Sequence, residues 1–460
     1  MKQKAASAYI ILSEYAEAFA LKNNSLFVSE HELRASQETV PDDSRPDGQP
    51  NSADTGTMRI SVTSSLGMVP IPGATVTISH TGAPDAADVT LTTDESGLTQ
   101  EVRLPTPLLQ YSLEPSDTQP YAEYNIEVTA EGYEPVQIFG SELLADELSL
   151  QPVRMNPLEV TEENEKTVII PPHTLFGDYP PKIPEDEIKP IAETGEIVLS
   201  RVVVPEYVIV HDGVPTDSSA PNYWVKYTDY IKNVASSEIY ATWPEATIYA
   251  NILAIMSFTL NRVYTEWYRN QGYDFTITSS TAYDQKWIYG RNTYENIDVL
   301  VDTIFNNYLS RPGVRQPIFT SYCDGRRVTC AGLSQWGSKY LGDEGYSAIE
   351  IIRYYYGNDM YINTADMISG VPSSFPGYNL TVGSSGEKVR QLQQQLTRIA
   401  QNYPAIPMLV ADGVYGPLTA DAVRTFQRIF SLPQTGIVDF ATWYAISRIY
   451  VGVSRIAEPG

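Results

Sequence analysis

The sequence predicts a multidomain protein with an all-β sandwich, a mixed α+β domain and a small three-helix domain, in this order along the chain. Three patterns support this fold class. Apolar and polar residues alternate between residues 57 and 152, apolar residues recur at helical spacing after Pro244, and they recur at 3-4 spacing near the end of the chain. The 460 residues suffice for about three domains.

Acidic residues are concentrated in the first half of the chain. The whole sequence carries 31 Lys and Arg against 56 Asp and Glu, a net charge of −25, and residues 1–200 hold 33 of the acids but only 11 of the bases. A surface of this sign repels phosphate, which argues against nucleic acid as a partner. No run of about 18 apolar residues occurs, so we expect no membrane span.

Residues 1–56 predict a leader rather than a folded domain. Residues 5–22 have the composition of a short amphipathic helix, and residues 35–56 are too polar to bury a core. The basic start followed by apolar residues also resembles a secretory signal, but Glu14 and Glu17 interrupt the apolar stretch. We therefore expect a short helix and a linker, with a signal peptide as the alternative.

Residues 57–152 predict a β-sandwich of about a hundred residues. Period-two alternation, separated by turns rich in Gly, Pro and Asp, marks five strand segments, which are 58–62, 74–78, 89–92, 101–104 and 124–128. The stretches PIPGATVTI, LTTDESGLTQ and YNIEVTAEGYEP resemble transthyretin-like modules. The resemblance implies a spacer, stalk or regulatory element, and we expect a scaffold without catalytic residues.

Residues 153–200 predict a semi-rigid linker. Eight prolines fall between 152 and 190, together with clustered acids. Proline fixes φ and like charges extend the chain, so this stretch should be an exposed spacer in which a protease could cut. His173 lies within it, and we expect a solvated loop residue there.

Residues 201–364 carry the candidate chemistry. They contain 20 of the 32 tyrosines and 5 of the 6 tryptophans. Aromatic rings stack on the apolar faces of sugars, and Tyr and Trp add hydrogen bonds at the rim. A core rich in tyrosine is the alternative interpretation of the same composition.

Glu238 is the candidate catalytic acid. It lies just before a helical pattern that Pro244 and Glu245 open, since proline suits the first turn and an acid there complements the helix dipole. Burial beside Ile239 and Tyr240 would raise the pKa of its carboxyl. A carboxyl that keeps its proton near neutral pH can protonate a glycosidic oxygen. The alternative is a helix-capping acid.

Two stretches resemble the stage II sporulation protein D family. They are SSEIYATWPEATIYANILAIMSFTLNR and CAGLSQWGSKYLGDEGYSAIEIIRYYYG, with a looser match between them around Gln285. The resemblance implies a lytic transglycosylase acting on peptidoglycan glycan strands. It also implies that Glu238 is the acid and that Gln285 binds substrate. Ser334, Gln335 and Trp336 would form the floor of the cleft.

A lytic transglycosylase needs only one indispensable carboxyl, whereas a hydrolytic glycosidase normally uses two. Asp284 and Asp324 are the possible second acids, but neither lies at helical spacing from Glu238. A hydrolytic muramidase or glucosaminidase therefore remains an alternative function.

One departure from the family pattern supports a non-catalytic alternative. An arginine that the family helix typically carries is replaced by Met256, and Arg262 is a possible substitute further along the helix. A wall-binding or spore-structural protein with a degenerate cleft is therefore a further interpretation.

The two cysteines leave three possibilities open. Some members of the resembled family bind zinc through Cys and His, but no His follows Cys323 or Cys330. The pair could form a disulfide, a remnant of a metal site or two free thiols. We expect no metal and no cofactor. His211 is expected to be a core or hydrogen-bonded residue.

Residues 376–455 predict a three-helix wall-binding domain. Val389, Leu392 and Leu396 keep helical spacing, and Asp439 is placed to cap a third helix. The GSSGEKV start and the ADGVYGPLTADAVRTFQ segment strongly resemble the type 1 peptidoglycan-binding domain. The resemblance implies that this domain holds cell-wall polymer without cutting it.

The order of these parts is similar to that of the clostridial spore cortex-lytic transglycosylases. That resemblance implies a proenzyme that degrades spore cortex during germination after an activating protease has cut it. We therefore expect peptidoglycan glycan strands as the partner and a location in the spore or at the cell wall.

Overall fold

The computed structural model describes residues 54–82, 87–158, 166–189, 201–365, 367–370 and 374–454. The predicted short helix and alternative signal peptide, with residues 1–53 of the predicted leader, lie outside the described residues, whereas residues 54–56 belong to a strand rather than to the leader. Everything described here belongs to one compact unit. Within these ranges, no helix is long and apolar enough to cross a membrane.

The first region is built from two sheets over one core. Its strands, with one short helix, are β1 (Asp54–Ser64), β2 (Thr75–His80), β3 (Ala87–Thr92), β4 (Val102–Thr106), α1 (Gln110–Leu113), β5 (Ala122–Thr129), β6 (Val136–Leu143), β7 (Leu148–Met155) and β8 (Lys166–Ile169). One sheet contains β7, β1 and β4, and the other has the order β3-β2-β5-β6-β8. Buried Ile60, Val76 and Tyr124 join the two in one cluster. Each of the five predicted segments overlaps a strand, although Ala74 and Glu101 lie just before β2 and β4.

The middle region completes the first sheet. Strand β13 (Thr293–Tyr294) pairs antiparallel with β7, so the sheet order is β13-β7-β1-β4. The buried Arg291 just before β13 forms an ion pair with the buried Glu142 at 2.6 Å. Because a strand and an ion pair cross between the regions, the β-region packs directly against the middle of the chain.

The middle region is a mixture of short strands and helices. They are β9 (Val203–Val204), β10 (Tyr207–His211), β11 (Asn222–Lys226), α2 (Tyr227–Glu238), α3 (Glu245–Tyr264), β12 (Ile277–Thr278), β13, α4 (Glu295–Ile304), β14 (Asn307–Ser310), β15 (Tyr322–Cys323), β16 (Leu333–Ser334), α5 (Gln335–Asp343), α6 (Ala348–Tyr356), β17 (Tyr361–Thr364) and β18 (Met367–Ile368). Helix α3 is buried along most of its length and forms the centre of the core. The helix begins at Glu245 with Pro244 directly before it, so it starts where the sequence predicts.

The prediction of an exposed spacer over residues 153–200 is wrong for residues 153–155 and 166–169, which belong to β7 and β8. It is also wrong for residues 170–189, which we call the strap. The strap packs against the middle region, and the Glu185 carboxylate pairs with the buried Arg262 at 2.7 Å. His173 is 1% exposed rather than solvated, with its ring 4.6 Å from that of Tyr240. The proline-rich strap is therefore held against the middle region, because side chains such as Glu185 and His173 contact residues far away in the sequence.

The C-terminal region forms three helices, as predicted: α7 (Glu387–Ala400), α8 (Pro417–Ile429) and α9 (Phe440–Ser454). The Asp439 side chain accepts a 2.8 Å hydrogen bond from the Thr442 N–H, which confirms the predicted cap. Helix α9 packs against α4, and Arg448 lies near the carboxylates of Asp229 and Asp302. The three helices are thus docked on the middle region through an ionic contact at the start of α2.

Candidate active site

Glu238 is the last residue of helix α2 and is completely buried. The sequence predicted its position before α3 but not that it ends a helix of its own. Most of α2 is buried, including Tyr230, Ile231 and Val234, which pack in the main core. The carboxyl therefore lies inside the protein rather than on a capping position at the surface.

The two oxygens of Glu238 have different surroundings. Oε1 accepts a 2.7 Å hydrogen bond from the backbone N–H of Lys286. Oε2 makes no hydrogen bond of standard geometry to a described residue, but the hydroxyl of Tyr322 lies beside it and lowers the pKa of the carboxyl. A buried polar group without a partner is rare in folded proteins and costs free energy. One oxygen is therefore available to a ligand or to a proton.

Burial raises the pKa of Glu238 above its ordinary value, as the sequence predicts. The nearby ammonium of Lys182 opposes this rise most strongly, followed by the Lys286 N–H and the Tyr322 hydroxyl. Because burial is the largest cause, the carboxyl holds its proton to a higher pH than an exposed glutamate does.

Lys182 is a neighbour of Glu238 that the sequence did not predict. Its Nζ donates a 2.6 Å hydrogen bond to the backbone oxygen of Asp284 and lies 4.4 Å from the ring centroid of Tyr322. Burial lowers the pKa of this lysine, and the charge of Glu238 raises it. The strap thus supplies a basic group to the surroundings of the candidate acid, which its proline-rich composition did not indicate.

The strap is held beside Glu238 from two directions. The N–H and the Oγ1 of Thr174 both donate to the backbone oxygen of Ser237, at 3.3 and 2.7 Å. On the other side, Arg327 donates to the Thr174 oxygen at 2.5 Å and also to the oxygen of Gly177. The strap therefore covers the end of α2 and is fastened by Arg327.

Arg327 lies in a loop closed by a disulfide. Cys323 and Cys330 are bonded to each other, which resolves the three possibilities left open by the sequence. Within the loop, Asp324 accepts a 2.9 Å hydrogen bond from Arg327 Nε and further bonds from backbone N–H groups. These bonds lower the pKa of Asp324, although burial opposes them.

Neither possible second acid is free. The buried Asp284 pairs with Arg262 at 2.7 Å and accepts hydrogen bonds from the hydroxyls of Tyr268 and Thr278. Asp324 is bonded within the disulfide loop. Arg262, the possible substitute for the arginine replaced by Met256, is thus occupied by Asp284 and Glu185.

Gln285 is an interior residue. Its Oε1 accepts from the hydroxyls of Tyr230 and Thr259, and its Nε2 donates to the backbone oxygen of Ile255. The side chain is 0% exposed. The amide therefore holds α2, α3 and the following loop together, and its hydrogen bonds are made within the protein.

The Ser-Gln-Trp segment has three different environments. Ser334 caps α5 by accepting a 2.9 Å hydrogen bond from Gly337 N–H. Trp336 is buried, with its ring 5.0 Å from that of Trp243. Gln335 is completely buried, and neither its Oε1 nor its Nε2 has a partner in the described part of the chain.

Strand pairing connects this segment to the neighbourhood of Glu238. Strands β15 and β16 are parallel, with Tyr322 opposite Leu333 and Cys323 opposite Ser334. The arrangement brings the hydroxyl of Tyr322 beside Glu238 and places the Ser-Gln-Trp segment directly after the paired strand. The expected open cleft is closed here, because Glu238, Gln335 and Trp336 are all buried.

His211 is a buried, hydrogen-bonded residue, as the sequence predicts. Its Nδ1 lies 2.8 Å from the Asn222 side-chain oxygen, and its ring stacks on Phe275 at 4.5 Å. Among the residues that the structure describes, no group of three or more His, Cys, Asp or Glu side chains could hold a metal ion.

The C-terminal helices match a known family. Residues 385–446 fit the model described as "Putative peptidoglycan binding domain". The C-terminal region is a peptidoglycan-binding domain. A stretch of 71 residues is also 44% identical to the zinc D-Ala-D-Ala carboxypeptidase of Streptomyces albus G, covering 15% of this chain and 26% of the relative. The chain thus matches about a quarter of that relative's length. The peptidoglycan-binding domain fits a protein of the cell wall.

Similarities to solved structures are weak. The catechol 1,2-dioxygenase of Acinetobacter sp. ADP1 shares 16% identity over 26% of this chain and 60% of that chain, with a TM-score of 0.17. The hydroxyquinol 1,2-dioxygenase of Pseudomonas putida DLL-E4 shares 13% identity over 30% of this chain and 75% of that chain, also with a TM-score of 0.17. Scores this low carry no argument about the fold or the function.

Proposed function

We propose that this chain is a peptidoglycan lytic transglycosylase in which Glu238 is the catalytic acid and the C-terminal domain holds the wall. The state of the Glu238 carboxyl carries the proposal. It is buried, its pKa is raised, one oxygen is fixed by Lys286 N–H, and the other makes no hydrogen bond of standard geometry in the described structure. These are the properties of a group prepared to give up and take back one proton.

The reaction needs no second carboxyl. Protonated Glu238 gives its proton to the oxygen that leaves carbon 1 of N-acetylmuramic acid. The resulting carboxylate takes the proton of the carbon-6 hydroxyl of the same sugar, whose oxygen bonds to carbon 1. One carbon–oxygen bond breaks, one forms, the proton returns to Glu238, and no water is consumed. The product is a 1,6-anhydro end.

Asp284 and Asp324 both form ion pairs and hydrogen bonds within the protein, which argues against hydrolysis. A hydrolase requires a second carboxylate to act as nucleophile or to activate water. Asp284 is held by Arg262, Tyr268 and Thr278, and Asp324 is held by the disulfide loop. A muramidase or glucosaminidase is therefore the weakest of the candidate activities.

Access to Glu238 requires the strap to move. In this structure the residue is 0% exposed, and Thr174 of the strap is bonded to the neighbouring Ser237. We propose that this is a closed form and that cleavage by an activating protease in the proline- and acid-rich segment releases the strap. The resemblance to the spore cortex-lytic transglycosylases supports this step and a role in cortex degradation during germination.

The closed site also favours a second candidate function. Gln285 and Trp336 pack inside the fold, so the residues of the family motif could serve stability alone. In that case the chain is a wall-binding or spore-structural protein, and the β-region is a transthyretin-like scaffold in either case. The carboxypeptidase relative supports wall binding only, since the match covers about a quarter of it.

The experiment compares wild type, Glu238→Gln and Glu147→Gln, each before and after limited proteolysis, on purified sacculi and spore cortex. Glu147 is a matched control, because its pKa is raised by burial to about 8 but it belongs to the β-region. We expect Glu238→Gln to lose cleavage and still pellet with sacculi, while Glu147→Gln cleaves like wild type. Normal cleavage by Glu238→Gln would overturn the assignment. A wild type that pellets but never cleaves would favour the non-catalytic candidate.

A further inference from the structure

Trp224 is an exposed tryptophan on the edge of a sheet. It lies in β11, the outer strand of the three-stranded sheet β11-β10-β12, and 69% of its surface is exposed. The ring of Tyr207 lies 6.4 Å away at 68°. Large aromatic side chains are normally mostly buried, so an exposed indole supported by a second ring needs an explanation.

Polar groups lie on the same face as the indole. In the antiparallel pairing, Trp224 is opposite Ile209 and Asn222 is opposite His211, so all four side chains share one face. The Asn222 amide bonds to His211 Nδ1 at 2.8 Å and to the exposed Asp274 at 3.0 Å. These contacts fix donors and acceptors beside the apolar plane of the tryptophan.

One polar atom of this face has no partner. His211 is 5% exposed, and its Nε2 makes no hydrogen bond within the described ranges. Its ring is held by stacking on Phe275 and by Asn222. Because this nitrogen is buried, it does not contact a ligand at the surface, and the histidine instead fixes the Asn222 amide on this face.

The face continues to the peptidoglycan-binding domain. Lys226, two residues beyond Trp224 on the same face, lines one cleft together with Arg448 of α9. Helix α2 begins directly after Lys226 and ends at Glu238, a length of about 18 Å. Trp224 therefore lies close to the contact with the wall-binding helices and to the start of the helix that ends at the candidate acid.

We propose that Trp224, with Asn222 and Asp274 at its side, is a subsite that stacks a pyranose ring of the peptidoglycan glycan strand. The apolar face of an N-acetylated amino sugar lies on the indole, and its hydroxyl and amide groups bond to the neighbouring polar side chains. The subsite rests on the proposed function, since it serves the strand that Glu238 cuts. It binds glycan whether or not the strand is cleaved.

The test measures oligosaccharide binding apart from cleavage. β-1,4-linked N-acetylglucosamine oligomers are titrated by calorimetry and by tryptophan fluorescence into wild type, Trp224→Ala, Trp224→Phe and Tyr354→Ala. Tyr354 is a matched control because it is an aromatic residue, 65% exposed, on α6. We expect Trp224→Ala to bind about tenfold more weakly and Trp224→Phe to retain most of the affinity, because a ring still stacks. Binding should shift the emission of wild type but not that of Trp224→Phe.

Equal affinity of Trp224→Ala and wild type would overturn the subsite. So would a loss of self-association in Trp224→Ala without a loss of glycan binding, since the indole would then be a protein contact. A different pair of results would show that the proposed transglycosylase function is wrong while the subsite is right. In that case Glu238→Gln and wild type release equally little product, while Trp224→Ala still loses oligomer affinity.

Discussion

The backbone N–H of Lys286 donates a 2.7 Å hydrogen bond to Oε1 of Glu238, while Oε2 of the same carboxyl makes no hydrogen bond of standard geometry in the described structure. The fixed oxygen sets the orientation of the carboxyl, and the other oxygen remains available for the proton. Lys182 of the strap is buried near this carboxyl. Its positive charge lowers the pKa of Glu238 and so opposes the rise caused by burial more than any other group does. The predictions below follow from this arrangement and from the contacts around it.

Replacing Lys182 by methionine should raise the pKa of the Glu238 carboxyl further, because a nearby positive charge is removed while burial stays. Carbon-13 NMR of glutamate carboxyls in the intact protein, with Glu238→Gln to assign the resonance, measures the shift. Lys189→Met is the matched control, because that lysine pairs with Glu185 in the same strap. Lys182→Arg should keep the wild-type value. An unchanged pKa in Lys182→Met would show that the two groups are not coupled.

Replacing Arg327 by alanine should loosen the strap. The variant loses the bonds to the oxygens of Thr174 and Gly177, and each lost hydrogen bond to a charged group costs about 1.5–3 kcal/mol. We expect a protease to cut the variant faster within residues 170–189. Mass spectrometry of the fragments over time measures this rate. The neighbouring Arg326→Ala is the control, because that side chain pairs with the fully exposed Asp117 at 4.0 Å rather than with the strap. Equal cleavage rates in the two variants would show that the hydrogen bonds of Arg327 do not hold the strap in place.

Replacing Arg448 by alanine should weaken the docking of α9 on the middle region. Arg448 lies 3.7–3.8 Å from the carboxylates of Asp302 and Asp229 and hydrogen-bonds to Thr228 at the start of α2. Since the side chains of Arg448 and Asp229 are 23% and 45% exposed, the loss of this contact should cost about 1 kcal/mol. Hydrogen exchange should rise in both α9 and the first turn of α2. Arg424→Ala, which breaks only an exposed pair with Asp421, should leave exchange there unchanged.

Asp298 should make the stability of the protein depend on pH. Burial raises its pKa to about 7 in the folded protein, with Lys232 opposing this. The folded state therefore binds more protons than the unfolded state between about pH 4 and pH 7, so the free energy of unfolding falls as pH rises through that window. The loss is on the order of a few kcal/mol. Asp298→Asn should flatten this slope in urea titrations, whereas a slope identical to wild type would exclude Asp298 as its source.

Local patterns in the sequence were sufficient for much of the fold. The alternation between 57 and 152 predicted strands, and the predicted Asp439 cap is present at the start of α9. These features are decided by residues close together in the chain. The raised pKa of Glu238 was also predictable, because its neighbours Ile239 and Tyr240 are apolar or aromatic and buried.

The strap and the closed site could not be predicted in this way. Glu185 pairs with Arg262, and Lys182 bonds to the Asp284 oxygen, at separations of 77 and 102 residues. Such pairings leave no local pattern, and proline with acid is normally typical of a solvated linker. Similarly, a motif match at Trp336 cannot separate a residue that packs in the core from one that contacts substrate.

The central claim is that Glu238 transfers one proton while the sugar closes its own ring. The most direct measurement is mass spectrometry of the ends released from cortex and sacculi by the proteolysed protein, with Glu238→Gln in parallel. We predict 1,6-anhydro-N-acetylmuramic ends from wild type and none from Glu238→Gln. Reducing ends from wild type, or the same anhydro ends from Glu238→Gln, would contradict the account.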